Sequence, residues 1–268
     1  MSTPIKLIVH GAAGRMGRRV LALAAEDTGF QLTAAIDHEK NPLIGQDAGL
    51  LAGVAASGVL LGASWPDDAE AVIDFSLPTA VDACLQEALQ RKFPLVVATT
   101  GLNDAQKQAL KEASSSIPIC WAPSMSMAVN LTMKLTQQVT ETLKGVAGGL
   151  DVEIIERHHR FKADAPSGTA LRFGELVAEK MDGDVQHVHG REGETGERSR
   201  HEIGYHAVRV GDNPGEHTIV FGMMGERIEL NVAASNRDCY ALGALEAARW
   251  LQGKPVGLYN MFDVLGLS

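Results

Sequence analysis

Residues 5–9 (IKLIV) form a short apolar run, followed at once by a glycine cluster and then by residues 15–25, where apolar positions recur at helical spacing. The pattern reads as strand, tight turn and helix. Further apolar runs at 31–36, 71–75, 95–98 and 117–121 read as strands. Two helical patterns lie between them. Residues 78–90 open with Pro78, which a first helical turn tolerates, and residues 103–114 open with Asn103, which can cap a helix. Alternation of strands and helices at this length predicts a parallel sheet wrapped by helices.

Beyond about residue 126 the pattern changes. Residues 127–144 predict a long helix, 151–156 a strand running into His158 and His159, and 170–181 another helix. Three strand-like runs follow at 201–210, 216–221 and 227–233, separated by turns at 211–215 and 223–225, and they read as antiparallel hairpins. Residues 190–201 are dense in charge and glycine and read as a mobile loop. An alanine-rich helix over 238–251 resumes the first pattern. The order predicts an α/β chain with an α+β domain over 127–235 inserted into a domain made of residues 1–126 and 236–268.

Composition narrows the function classes. Of 268 residues, 45% are apolar and 21% charged, enough for a core that needs no disulfide or metal staple. The net charge of -9 offers no footprint for nucleic acid or an anionic membrane. Cys84, Cys120 and Cys239 stand far apart with no CxxC spacing, so a zinc site on them is not expected, and a reducing, cytoplasmic compartment is. Residues 1–10 are too short and mixed for a signal peptide, and no apolar run approaches the ~18 residues of a membrane span.

The first glycine cluster, Gly11-Ala12-Ala13-Gly14-Arg15-Met16-Gly17, spaces its glycines as GxxGxxG after a strand and before a helix. Small residues there let the backbone turn sharply and approach a pyrophosphate, while helix-start N–H groups and the helix dipole attract the anion. Asp37 ends the second strand twenty positions after Gly17, where a carboxylate can bond ribose hydroxyls. The same carboxylate repels a 2′-phosphate, and the neighbouring His38 is a weaker phosphate clamp than arginine. Both NADH and NADPH are therefore expected to serve, NADH at least as well. The loops Ala98-Thr99-Thr100-Gly101 and Ala122-Pro123-Ser124-Met125 also follow strands of the series and are expected to face the nicotinamide half. These features make the larger domain Rossmann-like and dinucleotide-binding.

The densest run of unusual residues is EIIERHHRFKADAPSGTAL, residues 153–171. Arg157, His158, His159, Arg160 and Lys162 lie within six positions, and Ser167-Gly168-Thr169 leads into a helix. Clustered bases beside helix-start N–H groups suit carboxylates, and histidine beside lysine suits proton transfer. Paired histidines can instead ligate a metal, with His187 and His189 as distant helpers. No matching acidic or cysteine set accompanies them, so no metal is expected. A solvated basic loop is the remaining alternative.

That stretch, in order with GAAGRMG (11–17), ATTG (98–101), REGETGER (191–198) and GEHTIVF (215–221), resembles the 4-hydroxy-tetrahydrodipicolinate reductase family, formerly dihydrodipicolinate reductase, over essentially the whole chain. The resemblance implies a Rossmann-like cofactor domain and an α+β domain that binds substrate and forms a homotetramer. It implies reduction of a cyclic dicarboxylate by NAD(P)H with loss of water. It gives His158 and Lys162 catalytic roles, His159 a substrate contact, and Gly168 and Thr169 a backbone clamp for a carboxylate. Cofactor contacts follow at Gly11, Ala12, Ala13, Gly14, Arg15 and Met16, at Asp37 with His38, and at Ala98, Thr99, Thr100, Ala122, Pro123, Ser124 and Met125. Which of His158 and Lys162 delivers the proton stays open. Departures include His38 where many members carry arginine, and Phe161 where histidine is common. A different two-domain dehydrogenase, or a nucleotide-sensing protein without chemistry, are the competing readings.

Overall fold

The computed structural model describes residues 3–267. The elements run β1 (Ile5–His10), α1 (Arg15–Glu26), β2 (Phe30–Ile36), α2 (Ala48–Ala52), β3 (Leu61–Gly62), β4 (Ala71–Asp74), α3 (Pro78–Arg91), β5 (Leu95–Val97), α4 (Asp104–Ala113) and β6 (Pro118–Trp121). They continue with α5 (Met127–Leu143), β7 (Asp151–His158), α6 (Gly168–Ala178), β8 (Gln186–His189), β9 (Glu202–Arg209), β10 (Glu216–Met223) and β11 (Glu226–Ala233). The last are α7 (Asp238–Trp250), β12 (Gly257–Tyr259) and α8 (Met261–Val264). Two compact units result, Met1–Met127 with Arg237–Ser268, and Ala128–Asn236.

The first unit holds a seven-stranded parallel sheet in the order β12-β6-β5-β4-β1-β2-β3. Its middle strands are buried on both faces, which is why they read as unbroken apolar runs. Leu7, Val9, Ile73 and Val96 face one core with residues of α1 and α7 (Val20, Leu21, Ala244, Leu245), and Ile8, Val72, Leu95 and Val97 face a second with residues of α3 and α4 (Val81, Leu85, Leu110). The chain leaves β1 for β2 on one side and returns to β4 on the other, so the winding reverses between β1 and β4. This is the Rossmann-like arrangement. Pro78 begins α3 and Asn103 forms a capping box with Gln106 at α4. The edge strands β3 and β12 went unforeseen.

The second unit holds a mixed sheet in the order β11-β10-β7-β9-β8. Here the expected run of hairpins is corrected. β10 and β11 form one, closed by Met224 and Gly225, but β9 pairs in parallel with both β7 and β8. The connection from β9 to β10 passes across the end of β7 instead of turning back beside β9. Six residues, 210–215, reach up to about 20 Å when extended, and stepping over one strand needs only about 10 Å. β7 is thereby central, and alternation along it buries Val152, Ile154, Glu156 and His158 on one face. Helix α6 packs on that face through Ala170, Phe173, Leu176 and Val177. The region 190–201, expected to be mobile, is anchored at two points: Arg198 bonds Asp151 at 2.7 Å, Glu153 at 3.0 Å and the Val152 carbonyl at 3.0 Å, and Arg191 meets Glu153 at 2.7 Å and also Glu202, while residues 192–197 between them are exposed. Among the described residues no helix is long and apolar enough to cross a membrane.

Candidate functional site

In the first unit the glycine cluster joins β1 to α1. Gly11 has φ +74°, and a Cβ on it would stand 2.8 Å from the Phe75 carbonyl and from Ser76 Cα. A Cβ on Gly17 would stand 2.2 Å from the Gly11 carbonyl oxygen. The turn is thus a cradle from which side chains are excluded, as a pyrophosphate cradle requires. Not all of its amides are open. Ala12 N–H donates to the Ile36 carbonyl at 3.0 Å, Gly14 N–H to the Gly11 carbonyl at 3.0 Å, and Ala13 N–H to Asp37 Oδ2 at 3.0 Å. The N–H groups of Arg15, Met16 and Gly17, in the first turn of α1, have no carbonyl one turn back, and Gly14 provides no side-chain cap. These amides are free to meet an anion, and the residues present fit a dinucleotide.

Asp37 leaves β2 beside that turn. Its Oδ1 accepts from His38 N–H and from Asn41 Nδ2, each at 2.9 Å. With Ala13 on Oδ2, three of about four acceptor positions of the carboxylate are taken, leaving one on Oδ2 for a hydroxyl. His38 is exposed, and its Nδ1 accepts the Lys40 N–H at 3.2 Å.

Residues 98–101 and 122–125 follow β5 and β6 at the same carboxyl end of the sheet. Thr99 is buried, its hydroxyl donating to Asp74 Oδ2 at 2.8 Å, while Thr100 is exposed. Ala122 and Met125 are buried, and Gly243 of α7 lies so close that a Cβ there would meet the Met125 carbonyl oxygen at 1.7 Å. Asp74 also accepts from Ser76 N–H at 3.1 Å and lies 2.7 Å from His10 Nδ1. His10, Asp74 and Cys84 are, among the described residues, the one group with donor atoms spaced for a metal ion. Burial, with Asp74 adding to it, pushes the Cys84 thiol well up. His10 and Asp74 did not stand out in the sequence, and Cys84 was set aside there for want of a metal-binding spacing.

The second unit gathers the basic cluster. His158 ends β7 on its buried face, opposite Arg209 of β9, and Glu156 lies opposite His217 of β10. His158 Nδ1 is 2.6 Å from Glu156 Oε2. Arg209 donates to both Glu156 oxygens at 2.8 and 2.7 Å, and Ser167 N–H donates to Glu156 Oε1 at 3.0 Å. Ser167 caps α6 by accepting from Ala170 N–H at 3.1 Å, and its hydroxyl lies 3.0 Å from His217 Nε2. Gly168 and Thr169 therefore start α6 with amides that lack intrahelical acceptors, and a Cβ on Gly168 would meet nothing within 4 Å. An anion has room to approach them.

The strand-crossing segment completes the cluster. Val210 N–H donates to the His158 carbonyl at 2.9 Å, His159 N–H to Asn213 at 2.7 Å and Arg160 N–H to Gly211 at 3.1 Å. His159 Nδ1 is buried without a hydrogen-bond partner. The Lys162 ammonium meets Asp164 at 2.8 Å, so a carboxylate stands beside it and not only the expected bases. Burial lowers the proton affinity of His158 below the ordinary 6.5; Glu156 opposes this, while Lys162 and Arg209 add to it. Burial resists ionisation of Glu156, yet Arg209 and His158 outweigh it and hold the carboxyl below its usual range. Burial, helped by His158, pushes His217 down to about 4.

The structure brings together His158, His159, Lys162, Gly168 and Thr169 in one unit, and the glycine turn, Asp37 and the loops at 98–100 and 122–125 in the other. Sequence reasoning missed Glu156, Arg209 and His217. The signal for Glu156 was present, since it falls on the same alternation phase as Val152 and Ile154, where a core strand has no ordinary use for a carboxylate. His187, an imagined metal helper, instead has Nδ1 2.7 Å from the Tyr205 hydroxyl, and His189 stacks on that ring at 5.0 Å.

Comparison with known proteins identifies the lineage. Residues 5–125 match the family model described as dihydrodipicolinate reductase, N-terminus, and residues 128–265 that described as dihydrodipicolinate reductase, C-terminus. A 4-hydroxy-tetrahydrodipicolinate reductase of Rhodopirellula baltica is 67% identical over 99% of this chain and 97% of its own, and one of Alkalilimnicola ehrlichii is 45% identical over 100% of each. A solved structure, described as dipicolinate-bound dihydrodipicolinate reductase from Paenisporosarcina sp. TG-14, shares the fold with a TM-score of 0.75 over 97% of this chain and 98% of that one, at 23% identity. With two matched segments spanning nearly all its residues, the chain belongs to the dihydrodipicolinate reductase family.

Proposed function

We propose that the chain reduces (2S,4S)-4-hydroxy-2,3,4,5-tetrahydrodipicolinate to (S)-2,3,4,5-tetrahydrodipicolinate with NAD(P)H and a proton, releasing water and NAD(P)+, in lysine and diaminopimelate biosynthesis. The observation that carries this is 67% identity to a curated reductase of that activity along nearly the whole chain. In this reading residues 1–126 and 236–268 bind the dinucleotide, and residues 127–235 bind substrate and form a cytoplasmic homotetramer. The nicotinamide, when bound, supplies a hydride to ring carbon 4.

The chain's own residues do the rest. First-turn amides of α1 hold the pyrophosphate, Asp37 a ribose hydroxyl, and residues 98–100 and 122–125 the nicotinamide half. His159 and the amides of Gly168 and Thr169 meet ring carboxylates. His158 or Lys162 protonates the carbon beside the one that receives hydride, where negative charge would otherwise accumulate. A fixed Asp37 carboxylate disfavours a 2′-phosphate, so NADH serves at least as well as NADPH.

Aspartate-4-semialdehyde, pyruvate and the preceding synthase generate the labile substrate in place, and loss of NADH absorbance reads turnover. Wild type turns over, and His158→Ala lowers kcat by ~10²–10⁴-fold. Binding of NADH without any turnover would replace this reading with that of a nucleotide-sensing protein. Near-wild-type kcat in His158→Ala would leave Lys162 as the acid.

A further inference from the structure

A carboxylate with no exposed surface is costly in a protein core unless every lone pair is met. Glu156 stands in such a place, beyond Val152 and Ile154 on the buried face of β7. Arg209 grips it with two nitrogens and Ser167 N–H adds a third donor. Those three already stabilise the charge and lash β7 to β9 and to the start of α6. A fourth contact, 2.6 Å to His158 Nδ1, is the shortest of the set.

We propose that Glu156 is a positioning residue: it keeps the hydrogen of His158 on Nδ1 and so leaves Nε2 as the atom that gains and loses the catalytic proton. This rests on the reading of His158 as proton donor. An ionised carboxylate only accepts, so Nδ1 must carry a hydrogen whether the ring is neutral or charged. Arg209 keeps Glu156 ionised; its guanidinium also donates to the Asp164 and Val208 carbonyls at 2.7 and 2.8 Å, which fixes it in that task. The opposite side of the ring packs against the main chain. A Cβ on Gly215 would stand 2.9 Å from Nε2, so this close approach of ring and backbone requires a glycine at 215. The charged and titratable groups around the ring are Glu156 on its own strand, Arg209 on β9, His217 on β10 at a ring separation of 5.3 Å, and Lys162 in the following turn; α6 contributes the uncharged Ser167.

Two measurements on the full chain test this. Long-range nitrogen–proton NMR correlations of the wild-type protein at a pH where the ring is neutral report its tautomer; a hydrogen on Nδ1 is expected, and a hydrogen on Nε2 overturns the proposal without any variant. The second measurement is the pH profile of Glu156→Gln, which keeps size and one acceptor. Glu156 raises the proton affinity of His158, so its removal moves the alkaline fall of kcat to lower pH by about one unit. It also lowers kcat about 10²-fold at neutral pH, with KM changed less than about threefold. An unmoved alkaline limb, whatever the loss of kcat, assigns Glu156 a merely structural role. Should His158→Ala retain full turnover, the donor assignment falls while the tautomer result still stands or fails by itself.

Discussion

His217 offers a quantitative test of how the second unit is held together. It is 5% exposed, lies opposite Glu156 in register, and packs its ring 5.3 Å from His158 and 5.9 Å from Phe173. Burial first, and the neighbouring His158 second, lower its proton affinity to about 4 from an ordinary 6.5. Above pH 6.5 the ring is neutral in the folded and the unfolded chain and contributes no pH dependence. As the pH falls through 6.5, the unfolded chain binds a proton that the folded one refuses, so stability declines; the loss is complete below about 4. At about 1.4 kcal/mol per pH unit, the full effect is about 3 kcal/mol, of which about 2 kcal/mol has been lost by pH 5. Urea unfolding of wild type and His217→Gln between pH 5 and 7.5 measures it. Glutamine can both donate and accept and so keeps a partner for Ser167 Oγ, and the carboxylates common to both proteins cancel in the comparison. Wild type should lose about 2 kcal/mol more than the variant over that interval. Parallel curves would refute both the buried neutral state of His217 and the linkage drawn from it.

Gly17→Ala forces a Cβ to 2.2 Å from the Gly11 carbonyl oxygen, against an ordinary contact of 3.4 Å or more, so the turn must open by over 1 Å. Overpacking of this kind costs about 1–3 kcal/mol, and NADH affinity measured by fluorescence titration should fall ~10-fold or more; an unchanged Kd would show that the turn does not hold the dinucleotide. Asp37→Ser removes the carboxylate that disfavours a 2′-phosphate, and the NADPH to NADH ratio of kcat/KM should rise ~10-fold, since one charge contact at a few ångströms is worth about 1–4 kcal/mol. A ratio that does not move separates Asp37 from cofactor choice.

The parallel sheet was legible because its central strands are buried on both faces, leaving apolar runs such as residues 5–9 and 95–98 that periodicity recognises. Leu61–Gly62 and Gly257–Tyr259 were not legible, since two or three residues at a sheet edge carry almost no pattern. Gln186–His189 is polar and largely exposed, and joins the second sheet through backbone pairing with β9. The parallel placement of β9 depends on which neighbour β7 accepts, a choice made in three dimensions. At the candidate site, local sequence density exposed the glycine turn and the run from His158 to Thr169. Partners recruited from afar stayed hidden: Arg209 reaches Glu156 across 53 positions and His217 reaches Ser167 across 50. The internal hydrogen bonds of the Ala12, Ala13 and Gly14 amides were not legible either, because a sharp turn satisfies part of its own backbone through contacts that only the fold brings together.

The insertion of one unit within the other sets an order for biosynthesis. One wall of the first core consists of Ala241, Ala244, Leu245, Ala248 and Leu251, and the ion pair from Arg19 to Asp238 at 2.6 Å ties that wall to α1. During translation these residues emerge after every residue of 128–236. The glycine turn and its neighbours must therefore wait on the ribosome with the α7 part of one side of their sheet uncovered, while the sheet that carries His158 already has all of its strands. The segment made first is the one that matures last, and in the interval its bare apolar surface is where a chaperone would find its client.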